Sequence, residues 1–180
     1  MRDSSIPSAK YLGAVDELTP SQKGAAAEAA ITAAVIRLGL TVLRPLCEGR
    51  RYDMIIDLEP TLLRVQCKLA RRTGGVLAVG LQTSRCTPRG YIRTSYSPAE
   101  IDAIGAYSPE LGKCYLLPMS AISARHSLNL RLKPTGNNQA EGITWARDHE
   151  LEPVVQRLRA NQTRRSLAGQ LHFPNQIEGL

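Results

Sequence analysis

The stretch that most restricts what this chain can fold into is Arg51 to Lys68, RYDMIIDLEPTLLRVQCK. Met54, Ile55 and Ile56 form one apolar run and Leu62, Leu63 and Val65 another, with Glu59-Pro60 punctuating between them. This predicts two short strands joined by a turn, paired antiparallel. Asp53 heads the first strand. Gln66 and Lys68, two apart on the second, share one face because side chains alternate along a strand. A carboxylate, an amide and an amine are thus expected to converge at the edge of an apolar hairpin, which is costly unless something uses the charge. A divalent cation such as Mg2+ would use it, since it takes oxygen ligands and keeps waters and substrate phosphate in its remaining positions. Lys68 cannot be a ligand, but as a point charge it suits holding a phosphate oxygen or orienting an attacking water.

Asp53, followed by a strand with a polar residue, one spacer and a lysine, resembles the core of the PD-(D/E)xK nucleases, with Gln66 where the second acidic residue usually stands. The Q-x-K variant preceded by Arg51-Tyr52-Asp53 is similar to the PD-(D/E)xK homing endonucleases encoded by bacterial group I introns. The segment Ile101 to Pro118, IDAIGAYSPELGKCYLLP, is similar to the same group and extends the resemblance to roughly residues 20–150. The resemblance implies an α/β fold, a restriction-endonuclease-like core with a mixed central β-sheet flanked by α-helices. It also implies a helix before the sheet that contributes a glutamate to the metal site, a place that Glu28 matches in order.

Upstream, Thr19-Pro20-Ser21-Gln22 predicts a helix start, with Thr19 as cap, Pro20 in the first position and Gln22 completing a capping box. The helix should run to Leu38, with Gly39 as a left-handed stop. It is small and apolar on most sides, as suits a helix lying close on a sheet. Glu28, among its alanines, is either exposed on the one polar stripe or aimed at the same cation as Asp53.

The remaining pattern predicts a strand over Thr41 to Leu46, a basic turn over Ala70 to Gly75, a strand over Val76 to Gln82 and a loop over Thr83 to Thr94. Arg71 and Arg72 in the turn, and Arg85, Arg89 and Arg93 in the loop, are candidate DNA contacts or simply solvated side chains. A helical turn at Ser97 to Glu100, a buried strand after Ile101, a return strand over Lys113 to Leu117, an edge strand over Ser127 to Lys133 and a short helix over Trp145 to Leu151 follow. Asp102 is expected to bond locally, and Trp145 to be core. Residues 1–151 read as one nuclease-like domain with an arm over 1–18. Residues 152–180, which carry Arg157, Arg159, Arg164 and Arg165, read as a basic tail or a helix for subunit contact.

A net charge of +7 and a pI near 9.5 favour a polyanionic partner, and because the cations are mostly arginine, phosphate leads. Eight aromatic residues are few for stacking on unpaired bases, so contact with the duplex backbone suits the composition better. Cys47, Cys67, Cys86 and Cys114 show no close pairing, no secretory signal opens the chain, and His126, His149 and His172 are not spaced with them for zinc. A reducing prokaryotic cytoplasm is expected. No apolar run reaches the roughly 20 residues that span a bilayer, so no membrane partner is expected.

The function expected is a metal-dependent endonuclease that hydrolyses phosphodiester bonds of double-stranded DNA by in-line attack of water, site-specific in the homing manner. Asp53 and Glu28 would hold Mg2+, or Mn2+ in its place, with the Gln66 amide oxygen and, as the resemblance implies, the Cys67 carbonyl. Lys68 would position the nucleophile. One site per chain and two strands to cut imply a homodimer, and the resemblance allows a homotetramer. Within the same fold a Holliday-junction resolvase or restriction-type nuclease is the alternative, and outside it a catalytically silent DNA-binding or assembly module.

Overall fold

The computed structural model describes residues 17–123, 126–134 and 141–170. Most of the expected N-terminal arm and residues 171–180 of the expected tail lie outside it. The first element, α1 (Pro20–Arg37), begins as its sequence requires. The Thr19 hydroxyl accepts the Gln22 N–H at 3.3 Å, the Gln22 side chain accepts the Thr19 N–H at 2.9 Å, and Pro20 needs no partner in the first turn. Leu38 caps the end, and Gly39 turns the chain away with φ +74°.

The central sheet has five strands in the order β1 (Thr41–Leu43), β2 (Met54–Asp57), β3 (Leu62–Leu69), β8 (Ala103–Ser108) and β9 (Lys113–Pro118). β3 and β8 run parallel and the other neighbours antiparallel, so the sheet is mixed. The expected β2–β3 hairpin is present, with Met54 opposite Val65 and Asp57 opposite Leu62. One face takes α1: Ile31 and Val35 pack with Met54, Ile56, Val65, Ala103 and Leu116. The opposite face of β8 and β9 is covered by a second sheet in the order β10 (Ser127–Arg131), β5 (Val76–Gly80), β4 (Arg71–Thr73), with Leu77, Val79 and Leu130 packed on Ile104, Ala106 and Leu117. Burial on both faces is why AIGA and YLL read as continuous apolar runs. β3 instead alternates: Leu63, Val65 and Cys67 point into the first core, while Arg64, Gln66 and Lys68 hold the other face.

Gly105 lets α1 sit this close. A methyl group there would stand 3.1 Å from Val65 Cγ1 and 3.2 Å from Ile31 Cδ1.

Several local expectations change. The loop expected over Thr83 to Thr94 is a hairpin, β6 (Gln82–Thr87) with β7 (Gly90–Ser95), forming a two-stranded sheet of its own. β7 is exposed along its whole length, so no apolar face marks it as a strand. The basic turn expected over Ala70 to Gly75 is the short strand β4, and only Gly74 and Gly75 turn. β1 stops at Leu43, short of Leu46, on the sheet edge. Ala146–His149 form one 3-10 turn, and α2 then runs through Leu151–Gln170. Pro153 lies in the first turn of α2, where a missing N–H costs nothing. Val154 and Val155 are buried against the α1 side of the sheet, so the segment read as a tail starts inside the packed body. Trp145 is half-buried under the Arg147 guanidinium, 4.8 Å from its ring centroid, and the core residue is its neighbour Ala146.

Candidate active site

Asp53 stands one residue before β2, and its N–H donates to the Val65 carbonyl at 2.9 Å, so the β2–β3 ladder fixes its backbone. Its Oδ2 accepts two bonds, from the Cys67 N–H at 2.8 Å and from Gln66 Nε2 at 2.6 Å. Oδ1 takes part in neither. The amide thus does what a glutamate in its place would not: a second carboxylate at this distance would repel Asp53, whereas Nε2 ties it down and leaves the amide oxygen unspent on that bond. Gln66 Nε2 also lies 3.5 Å from the Cys67 carbonyl, which puts that oxygen beside the group.

Glu28 lies three residues before Ile31 on α1 and is ion-paired with Arg44, from the segment after β1. Burial, and then the negative charge of Asp53, hold its carboxyl above the ordinary range, while Arg44 pulls it down. Burial likewise raises Asp53, against the Cys67 N–H, Lys68, Gln66 and Arg44, which lower it. Two half-buried carboxylates close enough to oppose each other's ionisation are stabilised by any cation placed between them. Both line a cleft of about 390 Å³, whose wall is the 44–50 segment with Tyr52.

Lys68 comes from the face of β3 that Gln66 shares. Its ammonium donates to the Gln82 carbonyl at 3.2 Å and sits 5.0 Å from the centre of the Tyr96 ring. Asp53 feels its charge without a direct ion pair.

Glu28 and Asp53 meet in one cleft, Gln66 and Cys67 bond Asp53 directly, and Lys68 approaches from the same strand. Among the described residues no three His, Cys, Asp or Glu side chains gather as a ligand cluster. An ion held here therefore relies on two carboxylates and neutral oxygens, a donor set that fits a hard cation. The candidate DNA contacts lie elsewhere. Arg71 and Arg72 are exposed on β4, where Arg72 Nε donates to the Gly74 carbonyl at 3.2 Å. Arg89 and Arg93 are exposed on the β6–β7 hairpin. Arg85 is on β6, and its side chain lies outside the described residues. Asp102 accepts from the Arg64 N–H at 2.7 Å and from its guanidinium at 2.9 and 3.0 Å, so its partner lies across on β3 rather than in its own turn, where the sequence placed its bond.

Arg44 and Tyr96 were missed. Arg44 is hidden by being read as part of a strand that ends one residue earlier. Tyr96 has no motif, although the Tyr-Ser-Pro turn that follows it marks a fixed bend.

The model of the PD-(D/E)XK endonuclease family matches residues 18–152. The fold is similar to that of a bacterial homing endonuclease, I-Ssp6803I, at a TM-score of 0.64 and 24% identity, over 81% of this chain and 99% of that one. No curated protein matches. No helix among the described residues is long and apolar enough to cross a membrane. With the family match spanning α1, the mixed sheet and the Asp53 to Lys68 hairpin, the chain belongs to the PD-(D/E)XK endonucleases, a family of nucleases that generally use divalent metal ions.

Proposed function

We propose that this nuclease is a Mg2+-dependent endonuclease that cuts double-stranded DNA at specific sites, in the manner of homing endonucleases. The observation that carries the reading is the pairing of Glu28 with Asp53 in one cleft, with Asp53 Oδ1 left out of the bonds that fix Oδ2. Mg2+, or Mn2+ in its place, would be held by Asp53, Glu28, the Gln66 amide oxygen and the Cys67 carbonyl, and would supply Lewis-acid polarisation of the phosphodiester.

The chain's own residues do the rest. Gln66 and the Cys67 N–H fix the Asp53 carboxylate, so that it does not have to be ordered at the moment of reaction. Lys68 brings a positive charge from the same strand to orient the attacking water and offset the charge that develops on the phosphate. Arg44 offsets the charge of Glu28, and a cation held there would compete with it for the carboxylate. The exposed β6–β7 hairpin, with Arg89 and Arg93, has the dimensions of a two-stranded ribbon that enters a groove. Arg71 and Arg72 hold the flanking backbone. Two such sites are needed to break a duplex, so a homodimer, or a homotetramer of two dimers, is the working assembly.

The test is duplex cleavage by the wild type and Lys68→Ala, with Mg2+ and with EDTA, alongside DNA binding. Lys68→Ala should bind as well as wild type and fail to cut. Undiminished cutting by that variant would remove Lys68 from the mechanism.

A further inference from the structure

We propose that Tyr96 is a positioning residue for Lys68, and that through it the root of the β6–β7 hairpin holds the lysine in register with the cleft. This rests on the reading of Lys68 given above. A lysine has a four-carbon stem whose ordering must be offset by specific contacts. Among the described residues the contacts are two, the Gln82 carbonyl at 3.2 Å and the face of Tyr96 at 5.0 Å. Neither carries a charge. Each attracts the ammonium without neutralising it, so the full charge stays available to a phosphate, which a carboxylate partner would not allow.

The ring is itself braced. The Arg51 guanidinium lies 4.6 Å from the centre of the same ring, donates to the Ser95 carbonyl at 3.0 Å and pairs with Glu100 at 2.9 Å. Glu100 in turn accepts the Ser97 N–H at 3.0 Å and its hydroxyl at 2.9 Å, closing the turn that follows Tyr96. Arg51 is two residues from Asp53, so one braced unit joins the chain before the aspartate to the chain beside the lysine.

Both contacts on Lys68 come from the foot of the hairpin. Gln82 opens β6, Ser95 closes β7, the two are cross-strand partners, and Gln82 Nε2 donates to Ser95 Oγ at 3.3 Å. A hairpin exposed along β7 and rooted on the lysine links what the arm touches to where the ammonium stands.

The experiment compares full-length wild type, Tyr96→Phe, Tyr96→Leu and a variant with ring-fluorinated phenylalanine at 96, which keeps the shape of the ring and removes the negative charge of its face. The measurements are kcat, KM and DNA binding with Mg2+, and, without metal or DNA, the rate at which an amine-acylating reagent modifies Lys68 relative to Lys113. Tyr96→Phe should behave as wild type. Tyr96→Leu and the fluorinated ring should lose roughly tenfold in kcat at unchanged KM and binding, the size of a lost cation–π contact, and Lys68 should be acylated faster. Unchanged kcat and labelling in the fluorinated variant, or a loss that appears wholly in KM, would overturn the proposal. Should Lys68→Ala still cut while labelling responds to Tyr96, the mechanism fails and the positioning contact stands.

Discussion

Replacing Gly105 by alanine should unseat α1 and, with it, Glu28. The added methyl would lie 3.1 Å from Val65 Cγ1 and 3.2 and 3.4 Å from Ile31 Cδ1 and Cγ2, where carbon atoms prefer about 3.5–4.0 Å. Ile31 and Val65 are both fully buried, so neither has free space to retreat into. Overpacking of this kind costs about 1–3 kcal/mol. In a chain of this length each kcal/mol lowers the melting temperature by about 2–4 °C. Because Glu28 precedes Ile31 by three residues on α1, the same displacement lifts it away from Asp53 and weakens the response to Mg2+. Gly80→Ala is the control: a methyl there meets nothing within 4 Å, and stability should stay within about 1 kcal/mol of wild type. Thermal melts of both variants, with and without Mg2+, decide the matter. A Gly105→Ala protein as stable and as responsive to Mg2+ as wild type would show that contact at Gly105 does not seat the helix.

The carboxylates give a second expectation. Asp53 and Glu28 are raised above their ordinary values by burial, so in metal-free protein their contribution to stability is complete below about pH 4 and is lost as pH rises through their folded values. Asp53→Asn should therefore flatten that part of the pH–stability curve, read by denaturant melts, and abolish any rise in melting temperature with Mg2+. Asp102 contributes with the opposite sign: Arg64 holds it below the ordinary range, and its share is lost as pH falls. Gln66→Glu should replace a 2.6 Å hydrogen bond with like-charge contact, lowering metal-free stability while tightening Mg2+ affinity by calorimetry. Arg93→Ala on the exposed β7 should weaken DNA binding and reduce its salt slope by about one if the arginine meets a phosphate.

The sequence carried the parts of the fold that depend on local signals. Thr19, Pro20, Gln22 and Gly39 fix both ends of α1, and the two apolar runs around Glu59-Pro60 fix the hairpin that bears Asp53 and Gln66. The β6–β7 hairpin was illegible because β7 is exposed along its whole length and neither QTSRCT nor GYIRTS carries an apolar stripe to reveal a period of two. α2 was hidden by Pro153, which ends a helix from within but starts one at its first turn. At the site, what sequence order lacked was distance. Arg44 reaches Glu28, sixteen residues away on α1, and Tyr96 reaches Lys68 across a whole hairpin. Neither contact leaves a mark in residue spacing.

Strand breakage tests directly whether Asp53 makes this chain a metal-dependent nuclease. Wild type and Asp53→Asn, purified alike and matched for binding to the same duplex, should be compared for strand breakage with Mg2+ and with EDTA. Cutting by wild type with Mg2+ alone, and none by Asp53→Asn, is the predicted result. Breakage that persists in EDTA, or in Asp53→Asn with Mg2+, would contradict it.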